Sequence, residues 1–160
     1  MENKVLFWDF DGTLVYCHHL WSSSMWRAIT DEPAGEDITL EEVRPYMQTG
    51  YPWDLPHLDS SALSTPELWW AFMEKHFYKT ARSLGLPEDA SLRVSHSVRR
   101  YILTPHFYHL YPDTISVLEE CRRRGWKNHL LSNNYPELPD IIEKLGLSSY
   151  LDGMTISALA

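Results

Sequence analysis

The spacing of apolar positions changes period twice along this chain. Val5-Leu6-Phe7-Trp8 is an unbroken apolar run of strand length, closed by Asp9-Phe10-Asp11-Gly12-Thr13-Leu14. From about residue 15 to 105 the period becomes helical. Leu20, Met25 and Ile29 form one stripe, and Thr39-x-x-Glu42 makes a capping box ahead of Leu40, Val43 and Met47. Thr65-Pro66 opens a helix whose apolar positions Leu68, Trp69, Phe72, Met73 and Phe77 recur at three and four, with Gly85-Leu86-Pro87 as its end. A last helix carries Val94, Val98, Tyr101 and Ile102 and stops near Thr104-Pro105. No strand pattern of any length is expected in this region, and residues 48–64 read as its longest loop.

The remainder alternates again. Tyr111-Pro112-Asp113 opens a helix that runs to about Arg124, with Ile115, Leu118 and Cys121 on one face and Gly125 as the stop. A strand from Lys127 to Leu131 leads into Ser132-Asn133-Asn134. A helix over about 137–145 turns Ile141, Ile142 and Leu145 inward, and Met154 to Ser157 reads as a further strand. Strands alternating with helices predict an α/β fold built on a parallel sheet covered on both faces. The chain therefore divides into an α/β core, residues 1–14 and 106–160, and an inserted all-helical segment, residues 15–105.

Composition narrows the partners. A formal charge of −8 over 160 residues disfavours nucleic acid and anionic membranes, which select basic surfaces. Arg122-Arg123-Arg124 is the one basic cluster, and it complements the dipole at a helix end. The two cysteines, Cys17 and Cys121, make no disulfide framework and lack metal-ligand spacing, which fits a reducing cytoplasm. His18-His19 and His106-x-x-His109 have no convergent Cys or Glu partners of the kind zinc needs. Neither a signal peptide nor a membrane anchor is expected, because Asp9 and Asp11 interrupt the first apolar run.

Two places carry chemistry. Asp9 and Asp11 are two positions apart, so on an extended backbone both side chains leave one face. Carboxylates that close repel, which raises one pKa while the other group stays ionised. The pair suits a nucleophile with a proton donor, or a divalent cation. The tetrapeptide alone fits a strand-ending turn or a calcium-type loop equally well. Ser132 stands at the carboxyl end of a predicted parallel strand, where ligands bind in open α/β sheets. Ser132 and Asn133, with backbone N–H groups near a helix start, could hold a phosphate; the same residues also make ordinary caps.

Taken together, DFDGTL, the helical insertion and the later LLSNN resemble the haloacid dehalogenase-like (HAD) hydrolase superfamily. The similarity is to the subfamily whose helical cap follows the first signature. The resemblance implies a Rossmann-like core and a cap that sets specificity. Asp9 would be the nucleophile toward phosphorus and Asp11 the acid and base for the leaving oxygen. Ser132 and Asn133 would bind the phosphoryl group. It also implies Mg2+ held by Asp9 and Asp11, the latter through its carbonyl. The second Asp favours phosphoester hydrolysis over carbon–halogen cleavage. The expected substrate is a small phosphorylated metabolite. Non-catalytic phosphate binding and phosphomutase chemistry are the alternatives.

The family's Lys and later acidic pair find no counterpart. Lys4 and Lys127 fall at the wrong strand ends, Lys75 and Lys79 lie in the cap, Lys144 is on a core helix and Asp152 precedes its strand. The expectation is an incomplete HAD-like core, weak or absent turnover, and self-association through an exposed sheet edge.

Overall fold

In the computed structural model, residues 4–58 and 63–160 are described. The part of the expected 48–64 loop that spans residues 59–62 lies outside them. The chain forms two compact units, one of residues 1–17 and 105–160 and the other of residues 18–104.

The first unit holds a three-stranded parallel sheet in the order β1-β4-β5, with β1 Lys4–Trp8, β4 Trp126–Ser132 and β5 Gly153–Ile156. Phe7 pairs with His129 and Ser132 with Ile156, so the carboxyl ends of the strands lie together. Helix α5, Thr114–Arg123, leads into β4 through Gly125, whose φ of +79° favours glycine. Helix α6, Leu138–Lys144, joins β4 to β5 and buries Leu138, Ile141 and Ile142.

The expectation of a sheet covered on both faces is corrected. Along β4, Asn128, Leu130 and Ser132 are buried while Lys127 and Leu131 are exposed. Phe7 keeps 63% of its surface and Leu131 51%. Among the described residues helical cover reaches one face, so β4 shows the alternation of a half-covered strand rather than a continuous buried run.

A second difference is a small antiparallel pair, β2 Val15–Tyr16 with β3 His109–Leu110. Two-residue strands are too short to show alternation in sequence. Val15 and Tyr16 thus pair with residues 109–110, which belong to the same compact unit.

The second unit is helical: α1 Leu20–Thr30, α2 Leu40–Val43, α3 Pro66–Ser83 and α4 Glu88–Ile102. The capping box at Thr39 and Glu42 forms as the sequence predicts. Met25, Ile29, Met73, Phe77, Val94 and Val98 make its fully buried centre. Leu68, read as part of the α3 stripe, is instead 47% exposed, and Trp70 is buried in its place. The Trp70 ring packs edge-on to Trp69 and has the Arg99 guanidinium over it at 5.1 Å, so its larger area defines the inner face.

Candidate active site

The loop after β1 is shaped by its own backbone. The Phe10 carbonyl accepts hydrogen bonds from the N–H groups of Thr13, Leu14 and Val15, and Gly12 N donates to the Val15 carbonyl at 2.8 Å. Gly12 has φ +76°, a left-handed conformation that a side chain would strain by about 1 kcal/mol or more. Phe10 is fully buried, with its ring near that of Tyr108, and anchors the loop between the two carboxylates. Asp9 and Asp11 are thereby left facing out of the core.

Both line a cleft of 610 Å³ at the carboxyl ends of the strands, together with Leu131, Ser132, Asn133, Thr155 and Ser157. Asp9 Oδ1 accepts from the Phe10 N–H at 2.7 Å and from the Ser132 hydroxyl at 2.9 Å. The Ser132 bond spans the chain from residue 9 to residue 132 and is made possible by the β1–β4 pairing. Asp11 receives two donors as well: Asn134 Nδ2 on Oδ2 at 2.8 Å, and the Cys17 thiol on Oδ1 at 3.3 Å.

The Asp11 carboxyl is pushed above the usual carboxylate range. Crowding by surrounding protein is the largest cause, and the Asp9 charge adds to it. The bonds from Cys17 and Asn134 pull in the opposite direction without cancelling the rise. The residue as a whole still opens to the cleft, so water reaches it. The same burial, together with the Asp11 charge, pushes the Cys17 thiol well above its ordinary value and keeps it protonated.

The structure therefore brings Asp9, Asp11 and Ser132 into direct contact or a shared cleft, with Asn133 exposed at its wall. Asn134 and Cys17, which the sequence reading did not single out, are the residues bonded to Asp11. No periodicity marks them: both lie in irregular segments, where side-chain direction depends on local turns. The helix expected over about 137–145 begins at Leu138, six residues after Ser132.

Among the described residues, no group of three or more His, Cys, Asp or Glu is placed to hold a metal. The available donors are carboxylate and carbonyl oxygens in an open cleft. That set fits a hard cation such as Mg2+, which keeps several waters and takes one or two carboxylates. At the opposite end of the sheet, Asp152 accepts the Asn128 N–H at 2.8 Å and lies away from the cleft.

A parallel α/β sheet with paired carboxylates and a hydroxyl at its carboxyl end is the arrangement of a hydrolase of the Rossmann-like type. The chain belongs to the haloacid dehalogenase-like hydrolase family, whose model matches residues 3–159. It is 25% identical over 162 residues to mouse (Mus musculus) haloacid dehalogenase-like hydrolase domain-containing protein 3, covering 95% of this chain and 60% of that protein. Among solved structures, a candidate beta-phosphoglucomutase from Thermotoga maritima superposes with a TM-score of 0.66 at 17% identity, covering 99% of this chain and 63% of that one. A candidate HAD hydrolase, YfnB, from Bacillus subtilis, solved bound to magnesium, gives 0.65 at 12% identity, covering 98% and 66%. The chain thus spans about 60% of the length of the curated relative it matches, and the structural likeness is one of fold.

Proposed function

We propose that this chain carries the reaction centre of a Mg2+-dependent phosphohydrolase that acts on a small phosphorylated metabolite through phospho-Asp9. The observation that carries the reading is the Ser132 hydroxyl bonded to Asp9 beside Asp11 in one cleft. An Asp9 oxygen attacks phosphorus in line, and the phosphorus–oxygen ester bond breaks. Asp11, whose carboxyl holds its proton more firmly than usual, protonates the departing oxygen. Water then attacks phosphorus, Asp11 takes its proton, and phosphate leaves with Asp9 restored. The Ser132 hydroxyl, with Asn133 at the cleft wall, binds phosphoryl oxygens. The Asp9 carboxylate and the Asp11 carbonyl would hold Mg2+, which supplies charge neutralisation for the phosphoryl group when bound.

The helical unit, residues 18–104, would act as the cap, excluding water and setting specificity. Among the described residues no helix is long and apolar enough to cross a membrane. The acidic charge argues against nucleic acid and membrane as partners, and the two free cysteines suit a cytoplasmic setting. Among the described residues β1 pairs on one side only, and its open edge is the proposed route of self-association.

The test is phosphate release from p-nitrophenyl phosphate by this chain and by a longer form matching the length of its relatives, with and without Mg2+. Mg2+-dependent release is expected, strongest in the longer form. Release that ignores Mg2+ and chelators would contradict the reading. A substrate whose phosphate moves to another hydroxyl would replace hydrolysis with mutase chemistry.

A further inference from the structure

We infer that Asn134 is a positioning residue that orients the Asp11 carboxylate, with Cys17 holding its second oxygen. The inference rests on the role given to Asp11 above. Asn134 is 3% exposed, and its amide is engaged at both ends. Its Oδ1 accepts the Tyr135 N–H at 3.0 Å, and its Nδ2 donates to Asp11 Oδ2 at 2.8 Å. A backbone N–H can only donate, so the amide cannot flip without setting two donors against each other. The residue is pinned further by its own N–H, which donates to Ser157 Oγ at 3.2 Å, just past the carboxyl end of β5.

The two oxygens of Asp11 are consequently unequal. Oδ2 faces an amide that donates and cannot accept at that nitrogen, so Oδ2 stays an acceptor throughout. Oδ1 faces the Cys17 sulfur at 3.3 Å, a weak donor that is also a weak acceptor. That neighbour tolerates Oδ1 with or without a proton. Asn134 thus stops the carboxylate from rotating and leaves Oδ1 as the oxygen that hands over and takes back the proton. Without the amide, the carboxylate turns freely and the proton is presented in the right direction only part of the time.

The inference separates from a structural role by leaving group. p-Nitrophenolate departs without needing a proton, whereas the alkoxide of an alkyl phosphate needs one. Asn134→Ala should lower kcat/KM for glycerol phosphate by roughly 10- to 100-fold and for p-nitrophenyl phosphate by less than about 3-fold, with little change in KM. Cys17→Ala should show the same pattern more weakly, and Cys17→Ser, which keeps a donor, should restore it. Equal losses on both substrates would overturn the inference while leaving the phosphatase reading intact. These variants are compared in the longer form, and a wild-type longer form inactive on both would instead sink that reading.

Asn134→Ala also strips the Tyr135 N–H of its partner and could fold poorly. A second measurement avoids that substitution. The side-chain amide signals of Asn134 in 15N-resolved NMR should move, and exchange faster with solvent, in Asp11→Ala. Unchanged signals would overturn the inference.

Discussion

The two ends of β4 hold two buried asparagines in different settings. Asn128, fully buried, is satisfied by fixed groups: it receives the Trp8 indole N–H at 3.1 Å and donates to the Leu118 and Tyr150 carbonyls at 3.0 and 3.1 Å. Its own N–H goes to Asp152, and the Asp152 N–H returns to its carbonyl at 2.7 Å. Those partners are backbone, indole or a carboxylate that Arg122 approaches at 3.8 Å. Asn134, at the other end, spends its donor on a carboxylate that faces a cleft. A polar group saturated by fixed partners contributes to folding and uniqueness, whereas carboxylates held only partly and left open to water retain capacity for a ligand. The difference assigns stability to one end of the sheet and chemistry to the other.

The sharpest way to break that contrast is to remove Asn128. Asn128→Leu leaves the Trp8 indole N–H without its acceptor, takes one donor from each of the Leu118 and Tyr150 carbonyls, and loses three hydrogen bonds of about 0.5–1.5 kcal/mol each. Thermal unfolding should fall by roughly 10 °C for a chain of this size. A fall of only a degree or two would mean that this end of the sheet is not where stability lies.

A smaller effect distinguishes the cleft by its pH dependence. Because the Asp11 pKa is raised from its ordinary 3.8, the folded protein binds that proton more tightly than the unfolded chain does. The contribution is fully present below 3.8 and is lost as pH rises through the raised value. Without Mg2+, the Tm of Asp11→Asn relative to wild type should therefore increase as pH rises from the ordinary carboxylate value through the raised one. A difference that shrinks over this range would refute the assignment. The Asn128 variant, lacking any titrating group, should show a nearly constant difference.

The smallest effect belongs to the α5 end. Glu120 receives Arg123 and Arg124 at 2.6 and 2.7 Å, yet both arginines are well exposed and Glu120 is only half-buried. Glu120→Ala should shift the urea unfolding midpoint only slightly, and less still in high salt. A larger, salt-independent loss would show that this surface carries more of the fold than the argument allows.

Much of this is legible in the amino-acid sequence, for physical reasons. The apolar run Val5–Trp8 and the Gly125 stop act through local rules, and β1 and α5 lie where those rules put them. Asp9 and Asp11 were visible because two carboxylates after an apolar strand are costly to place. Asn134 was not: it directly follows Asn133, and only the turn after β4 decides which amide reaches Asp11. In the sequence Cys17 carries only redox information, since its nearness to Asp11 depends on the β2–β3 pair, too short to leave a pattern. Leu68 misled because a helical stripe shows which positions share a face without showing whether the edge of the stripe is covered.

The central claim is that phosphorus becomes bonded to Asp9. Protein acid-quenched during turnover of a phosphate ester should yield an Asp9-containing peptide heavier by one phosphoryl group, and Asp9→Asn should yield none. Turnover with no phosphorylated peptide in wild type, or with the phosphoryl group on Ser132, would contradict the account.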